Sequence, residues 1–248
     1  MTKKCNLSIV IMAAGKGTRM NSEIPKVLHE LSNKTLISHV IDTARQLNPE
    51  KIIVIIGHEA EMVRQSIDAS DILFSYQFEQ KGTGHAIMQT EEHLKDFKGQ
   101  TLVLSGDVPM IKKSTLSSLI EKQTENNFDA SMLTSELVDP SGYGRVIKDS
   151  NGNLQEVREH KDCNDQELLI KEINSGIYIF KNQMLFDLLP KLKNQNAQSE
   201  YYLPDVLPMI VALGGNIGLE KSNNFTEIQG VNTLEQLNEL EELNEKSN

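Results

Sequence analysis

Hydrophobic and polar positions along this chain follow two alternating rhythms. Short runs rich in Val, Ile, Leu and Phe at 7–13, 52–56, 72–76, 101–104 and 130–134 predict β-strands. Between the first two, Leu36, Ile37, Val40, Ile41, Ala44 and Leu47 recur at helical spacing. Strands separated by helices imply crossover units. The expected fold is therefore α/β, a Rossmann-like, mostly parallel mixed sheet flanked by helices on both faces. In such sheets ligands bind beyond the carboxyl ends of the strands.

Past residue 137 the rhythm changes. The stretch Asp139-Pro140-Ser141-Gly142-Tyr143-Gly144-Arg145 is dense in turn formers, and short strands are predicted at 145–148, 154–159 and 173–180. Together they predict a small β-rich subregion, mixed or antiparallel, that walls one side of the cleft. Near the end, Thr233 and Gln236 match a capping box, and Leu234, Leu237, Leu240 and Leu243 recur among glutamates. This predicts an amphipathic helix over 233–248, set off from a main domain over 1–232. Its leucine stripe either packs on its own domain or meets a partner chain.

Composition narrows the picture modestly. With 248 residues, 38% hydrophobic and 24% charged, the chain can bury a sizeable core. A net charge of −10 argues against non-specific nucleic-acid binding. Any polyanionic substrate must then be met by locally concentrated cations. Cys5 and Cys163 show neither metal-ligand nor disulfide-framework spacing, the N-terminus lacks a signal-peptide pattern, and no apolar run approaches membrane-spanning length. The expectation is a cytoplasmic protein with reduced thiols and no membrane association.

The densest chemistry lies where the first strand ends. An apolar run through Met12, Ala13 and Ala14 enters a loop with Gly15, Gly17, Thr18 and Arg19, and Lys26 follows seven positions after Arg19. Backbone N–H groups of such a loop can close on phosphate oxygens, with two cations to hold the charge. The Walker spacing is absent, and the dinucleotide fingerprint fails because Met20 stands where a third glycine is needed. Pro25 disfavours helical torsions at Ile24, so the loop is expected to run extended and present Lys26 outside any helix. Glycine-rich turns with incidental cations are common, so the loop alone leaves that plainer reading open.

Two further loops gain weight from sharing a sheet edge with the first. Ser105-Gly106-Asp107 follows a strand and sets a carboxylate where it could ligate Mg2+, although Gly-Asp pairs also simply turn the chain. Gly82-Thr83-Gly84-His85 follows Gln77, whose amide could pair with a base edge. His85 lacks an acid or nucleophile partner and reads as structural. Glu156, Glu159, His160, Lys161 and Asp162 form a charged cluster that could equally be a solvated face.

These motifs, taken in order, resemble the sugar-phosphate nucleotidyltransferases. The resemblance is strongest to the uridylyltransferase domain of the bifunctional bacterial enzymes that make UDP-N-acetylglucosamine. It spans about residues 7–235 and rests on Ala13-Ala14-Gly15-Lys16-Gly17-Thr18-Arg19-Met20, Pro25-Lys26-Val27-Leu28-His29, Gly82-Thr83-Gly84-His85-Ala86 and Gly106-Asp107-Val108-Pro109. Further along come Gly142-Tyr143-Gly144-Arg145, Glu159-His160-Lys161-Asp162, Asn174-Ser175-Gly176, Glu200-Tyr201-Tyr202 and Gly230-Val231-Asn232.

The resemblance implies a nucleotide-diphospho-sugar transferase fold and a set of roles. Met12, Ala13, Ala14, Gly15, Gln77, Gly82, Thr83, Ser105 and Gly106 would bind the nucleotide. Arg19 and Lys26 would be catalytic, Asp107 and Asn232 would ligate Mg2+, and Gly144, Glu159 and Asn174 would hold the sugar. The implied substrates are UTP and N-acetylglucosamine-1-phosphate. Another sugar or alcohol phosphate, or a non-catalytic sugar-nucleotide binder, are the alternatives. Many relatives carry Tyr at the position of Ser105, and Thr233-Leu234 replaces a usual polar pair after Asn232. The bifunctional enzymes continue into an acetyl-transferring β-helix, so acetyl transfer is not expected of residues 1–248.

Overall fold

The computed structural model describes residues 6–247. Cys5, the reading of the N-terminus up to that point, and Asn248 lie outside the described residues.

The strands are β1 (Leu7–Ala13), β2 (Glu30–Leu31), β3 (Lys34–Thr35), β4 (Lys51–Ile56), β5 (Ile72–Tyr76), β6 (Gln100–Ser105), β7 (Ala130–Glu136), β8 (Arg145–Lys148), β9 (Leu154–Arg158), β10 (Glu172–Lys181) and β11 (Ile217–Lys221). The main sheet runs β11-β7-β10-β6-β1-β4-β5, with β8 hung on β10 and β9 on β8, while β2 and β3 form a separate small hairpin. β1 lies parallel to β4 and β6, β4 to β5, and β11 to β7; β10 runs antiparallel to both β6 and β7. This is the mixed, mostly parallel sheet that the alternation of strands and helices predicts.

The unbroken apolar character of β1 and β4 follows from burial on both faces. Ile9, Ile11, Val54 and Ile56 join one core cluster, while Val10, Ile53 and Ile55 join the cluster on the opposite face. The helix Leu36–Arg45 covers the first face with Ile37, Val40, Ile41 and Ala44, all buried. Thr35 caps it, its hydroxyl accepting from the Ser38 N–H at 3.3 Å.

The β-rich region differs from its expectation in one respect. β10, expected in that subregion, is an inner strand of the main sheet, and only the β8–β9 hairpin branches off it through β8. β11 escapes the apolar pattern because it is short and carries Gly218. A Cβ there would lie 2.6 Å from the Phe128 ring, so a residue that weakens the strand signal is what lets this edge pack.

The last helix, Leu234–Ser247, docks on its own domain. Leu237 and Leu240 are buried against Met20, Leu31, Leu36 and Val231. The Ser32 N–H donates to Glu241 Oε1 at 2.9 Å, and Asn244 Nδ2 meets the Ser32 hydroxyl at 2.9 Å. The inner half of the leucine stripe is thus consumed within the chain. The capping box is half realised. Gln236 N–H donates to the Thr233 hydroxyl at 3.3 Å, but the Gln236 carbonyl reaches the Asn232 N–H at 2.8 Å rather than that of Thr233. No described helix is long and apolar enough to cross a membrane.

Candidate active site

β1 and β6 are neighbours, with Met12 opposite Ser105, so the loops leaving their carboxyl ends meet. Gly106 N–H donates to the Met12 carbonyl at 2.9 Å and ties them together. That bond uses the Gly106 N–H and leaves its carbonyl and its bare Cα facing the loop.

In the first loop, Gly17 adopts φ 59°, ψ 31°, a left-handed conformation that favours glycine. A Cβ on it would stand 2.6 Å from Lys26 Cβ. Gly17 is therefore what allows the two ends of the loop to touch. The loop does not run extended as expected: Thr18–Met20 forms a one-turn 3-10 helix, and Pro25 (φ −51°, ψ 137°) is extended just before Lys26. Lys26 itself opens a one-turn 3-10 helix, Lys26–Leu28, which corrects the expectation that it stands outside any helix. The turn forms because proline is well suited to the position just before a helical start, where its missing N–H costs nothing.

Four residues from three parts of the chain converge beyond this turn. The Lys26 ammonium contacts Asp107 Oδ2 and donates to Asn232 Oδ1 at 3.0 Å. Arg19 Nη2 donates to the same Asn232 oxygen at 2.8 Å, across 213 positions of sequence. Burial by itself would raise the Asp107 carboxyl, but the Lys26 ammonium beside it, with donors from Ser105 and its own backbone, holds it below the usual carboxylate range. The terminal segment is pinned to this loop by the Val231 N–H, which donates to the Asp107 carbonyl at 2.9 Å.

Asp107 and Asn232 thus direct two hard oxygens at one cation, here the Lys26 ammonium. A pair of oxygens completed by substrate phosphates and water is the ligation Mg2+ commonly accepts. Among the described residues no group of three or more His, Cys, Asp or Glu side chains is placed to hold a metal, so a site closed entirely by such protein ligands is not built here.

A cleft of about 540 Å³ opens on one side of these residues. Met12, Ala13, Ala14, Gly15, Gln77, Gly82, Thr83 and Ser105 all line it. Gln77 is buried and its orientation is determined by its surroundings. Its amide nitrogen meets the Gly82 carbonyl at 3.0 Å and His85 Nδ1 at 3.1 Å. Since a carbonyl can only accept, the Gln77 oxygen is the atom left for a ligand. Gly82 takes φ 101°, and a Cβ there would meet the Tyr201 carbonyl at 2.6 Å. The Thr83 hydroxyl accepts from Leu203 N–H at 2.9 Å. His85 bridges Gln77 and Gln89, and burial lowers its pKa, in keeping with a structural role.

A second cavity of about 490 Å³ lies on the other side, lined by Thr18, Arg19, Gly142, Glu159, His160, Lys161 and Gln198. Gly144, Glu159 and Asn174 are neighbours here. The Asn174 N–H donates to the Gly144 carbonyl at 2.9 Å, and a Cβ on Gly144 would stand 3.2 Å from Glu159 Oε1. Burial, followed by the charges of Asp162, Asp205 and Glu200, pushes the Glu159 carboxyl up to about 7. A register shift in β10 between Asn174 and Tyr178, with Gly176 at φ 78°, turns the strand so that the Asn174 side-chain oxygen accepts from Gly176 N–H and the Tyr178 hydroxyl.

The residues expected at the site therefore come together around the two cavities. Lys16 and Glu200 line the first cleft, and His160, Lys161 and Gln198 the second, without having been singled out as ligand contacts from sequence. Lys16 had a cue in its place between two glycines. Gln198 had none.

A glycine loop at the end of β1, a carboxylate at the end of β6 and two cavities sharing Thr18 define a nucleotide-transferring architecture. The chain belongs to the nucleotidyl transferase family, whose shared pattern matches residues 8–218. It is 45% identical over 223 residues to the "Bifunctional protein GlmU" of Staphylococcus carnosus, covering 90% of this chain and 49% of that protein. It is also 45% identical over 230 residues to the protein of the same name in Cellvibrio japonicus, covering 93% and 50% respectively. The chain spans about half the length of these curated relatives. Among solved structures, a UDP-glucose pyrophosphorylase complexed with UDP-glucose superposes with TM-score 0.79 at 18% identity, covering 98% of this chain and all of that one. A putative glucose-1-phosphate thymidylyltransferase from Bacillus anthracis gives TM-score 0.75 at 18% identity, over 96% and 94%. At that identity the two structures speak for the fold alone.

Proposed function

We propose that this chain transfers the uridylyl group of UTP to N-acetylglucosamine-1-phosphate, giving UDP-N-acetylglucosamine and pyrophosphate. The observation that carries this reading is the meeting of Arg19, Lys26, Asp107 and Asn232 beside the two cavities. In this reading the nucleotide lies in the Gly15 cleft and the sugar phosphate in the Glu159 cavity, and the α-phosphorus sits between them.

The chemistry needs little beyond that geometry. The attacking phosphate oxygen is already anionic near neutral pH, since a phosphate monoester has its second pKa near ~6. It forms a new P–O bond at the α-phosphorus while the bond to the β-phosphate oxygen breaks and pyrophosphate leaves. No general base is required. What must be overcome is repulsion between two polyanions, and that falls to Arg19 and Lys26 with the N–H groups of the Gly15–Gly17 turn. Asp107 and Asn232 would hold Mg2+, which when bound supplies further neutralisation of the phosphates.

Base choice follows from Gln77. With its N–H groups facing Gly82 and His85, its open oxygen accepts from the N3–H of uracil. Cytosine offers an acceptor at that ring position and would face it unpaired. The carboxylate of Glu159 suits sugar hydroxyls, and the kinship with the two GlmU proteins over most of this chain supports the same assignment. The test is pyrophosphate release from a panel of nucleoside triphosphates and sugar-1-phosphates, with and without Mg2+. Fastest turnover with UTP and N-acetylglucosamine-1-phosphate, dependent on Mg2+, is expected. Preference for CTP or for a non-acetylated sugar would replace the assignment with another nucleotidyltransferase, and tight sugar-nucleotide binding without turnover would replace it with a binding protein.

A further inference from the structure

The largest fully buried side chain belongs to Arg145, at the start of β8, with 1% of its surface exposed. Among the described residues no carboxylate lies within ion-pair distance of it. Its Nη1 donates to the Tyr143 carbonyl, its Nη2 meets His160 Nδ1 at 3.4 Å, and its Nε has no partner at all. Burying a guanidinium without a counter-ion is unfavourable, and such a group persists where it performs a task that an apolar side chain cannot.

The task is legible in the contact with His160. A guanidinium carries only donors, so Nδ1 of His160 must be the acceptor and the ring proton must sit on Nε2. Among the described residues Nε2 has no hydrogen-bond partner, and it is not among the enclosed unpartnered atoms. His160 lines the second cavity, and with Nδ1 held from behind by Arg145, the edge it offers there carries Nε2–H.

We propose that His160 donates a hydrogen bond from Nε2 to a sugar oxygen of the acceptor substrate, a hydroxyl or the acetamido carbonyl, and that Arg145 is the positioning residue that fixes its tautomer. This rests on the function proposed above. A ring N–H donor beside the Glu159 carboxyl group makes an acceptor–donor pair that matches a polyhydroxylated ring. The phosphate is served instead by Arg19, whose cation stands on the same cavity beside Lys26. The backbone supports the same relay. Arg145 pairs with Ile173 next to Asn174 and with Arg158 next to Glu159, so one residue sets the position of the three sugar-side groups.

The test has two arms. In the kinetic arm, His160→Leu raises KM for N-acetylglucosamine-1-phosphate about 10-fold, the worth of one hydrogen bond of about 1.4 kcal/mol. KM for UTP and the melting temperature stay at wild-type values, and His160→Gln, which restores an N–H donor, returns KM to within about twofold. An unchanged sugar-phosphate KM in His160→Leu, or equal rises for both substrates, overturns the proposal. In the second arm, 15N spectra of the histidine rings in the ligand-free protein place the His160 proton on Nε2. A proton on Nδ1 overturns the Arg145 relay. This arm needs no turnover, so inactivity of the wild-type protein toward UTP and the sugar phosphate would sink the proposed function while the ring spectrum still decides the tautomer.

Discussion

The two cavities carry similar charges in different settings, Lys16, Lys26 and Glu200 on one and Arg19, Lys161 and Glu159 on the other. The Gly15 cleft has backbone and small side chains along much of its lining. On the Glu159 side, burial, followed by the charges of Asp162, Asp205 and Glu200, pushes the Glu159 carboxyl up to about 7, and burial, followed by Asp162 and Glu156, pushes Asp205 up to about 6. A nucleotide triphosphate brings its own negative charge, so its cleft needs donors, and the Asp107 carboxylate beside the loop is matched by the Lys26 ammonium. A sugar ring brings neutral hydroxyls, and a carboxylate there is a strong acceptor without a Coulombic penalty. The cationic pair, Arg19 and Lys26, stands where the two settings meet. That is where charge has to be cancelled rather than merely recognised.

The contrast is most sharply broken at that junction. Lys26→Ala removes the cation between Asp107 and Asn232 and is expected to lower kcat/KM by about 10²–10³-fold, the loss seen for a single preorganised donor. Steady-state pyrophosphate release checks this, with circular dichroism to confirm that the fold remains. Next comes Gly17→Ala, which forces a side chain into a left-handed conformation and against Lys26 Cβ. A displacement of about 1 Å at the loop would cost about 10²-fold in kcat, measured in the same assay.

Glu159→Gln separates the two settings rather than destroying both. It is expected to raise KM for the sugar phosphate about 10-fold while KM for UTP holds, since hydrogen bonds to charged groups are worth about 1.5–3 kcal/mol. It should also change stability in a pH-dependent way. Below the ordinary value of 4.5 the carboxyl is protonated whether the chain is folded or not. As pH rises from there to about 7 the unfolded chain ionises first, so wild-type stability falls across that window. The variant therefore melts higher than wild type at pH 8 and equally at pH 4, a pattern that calorimetry at the two pH values reads directly. The smallest effect is expected at Thr233→Ala. Losing the helix cap costs about 1 kcal/mol and lowers the melting temperature by about 2–4 °C, with kcat nearly unchanged.

Much of the fold was legible because its elements are locally consistent. The predicted ends of β1, β5 and β8 coincide with the observed ones, and in β1 the apolar run reports burial directly. β11 was not legible, because Gly218 answers to the Phe128 ring of a distant segment and not to its own neighbours. Lys26 was misjudged by one residue, since the bias imposed by a proline ends at the proline itself. Gly106 carries a nucleotide-loop sequence, yet its N–H is taken by Met12, a pairing visible only once β1 and β6 lie side by side.

The sequence by itself determined the rhythm of strands and helices, the glycine loop at the end of the first strand, and the order of motifs that marks the family. Each of these depends on residues close together in the chain, where turn chemistry and periodic burial act. Only the tertiary structure decided that one asparagine oxygen would serve Arg19 and Lys26 at once, and that a buried Arg145 would set the proton of His160. Those outcomes depend on where the sheet register, a strand bulge and a docked terminal helix bring distant segments, and no local preference encodes such distances.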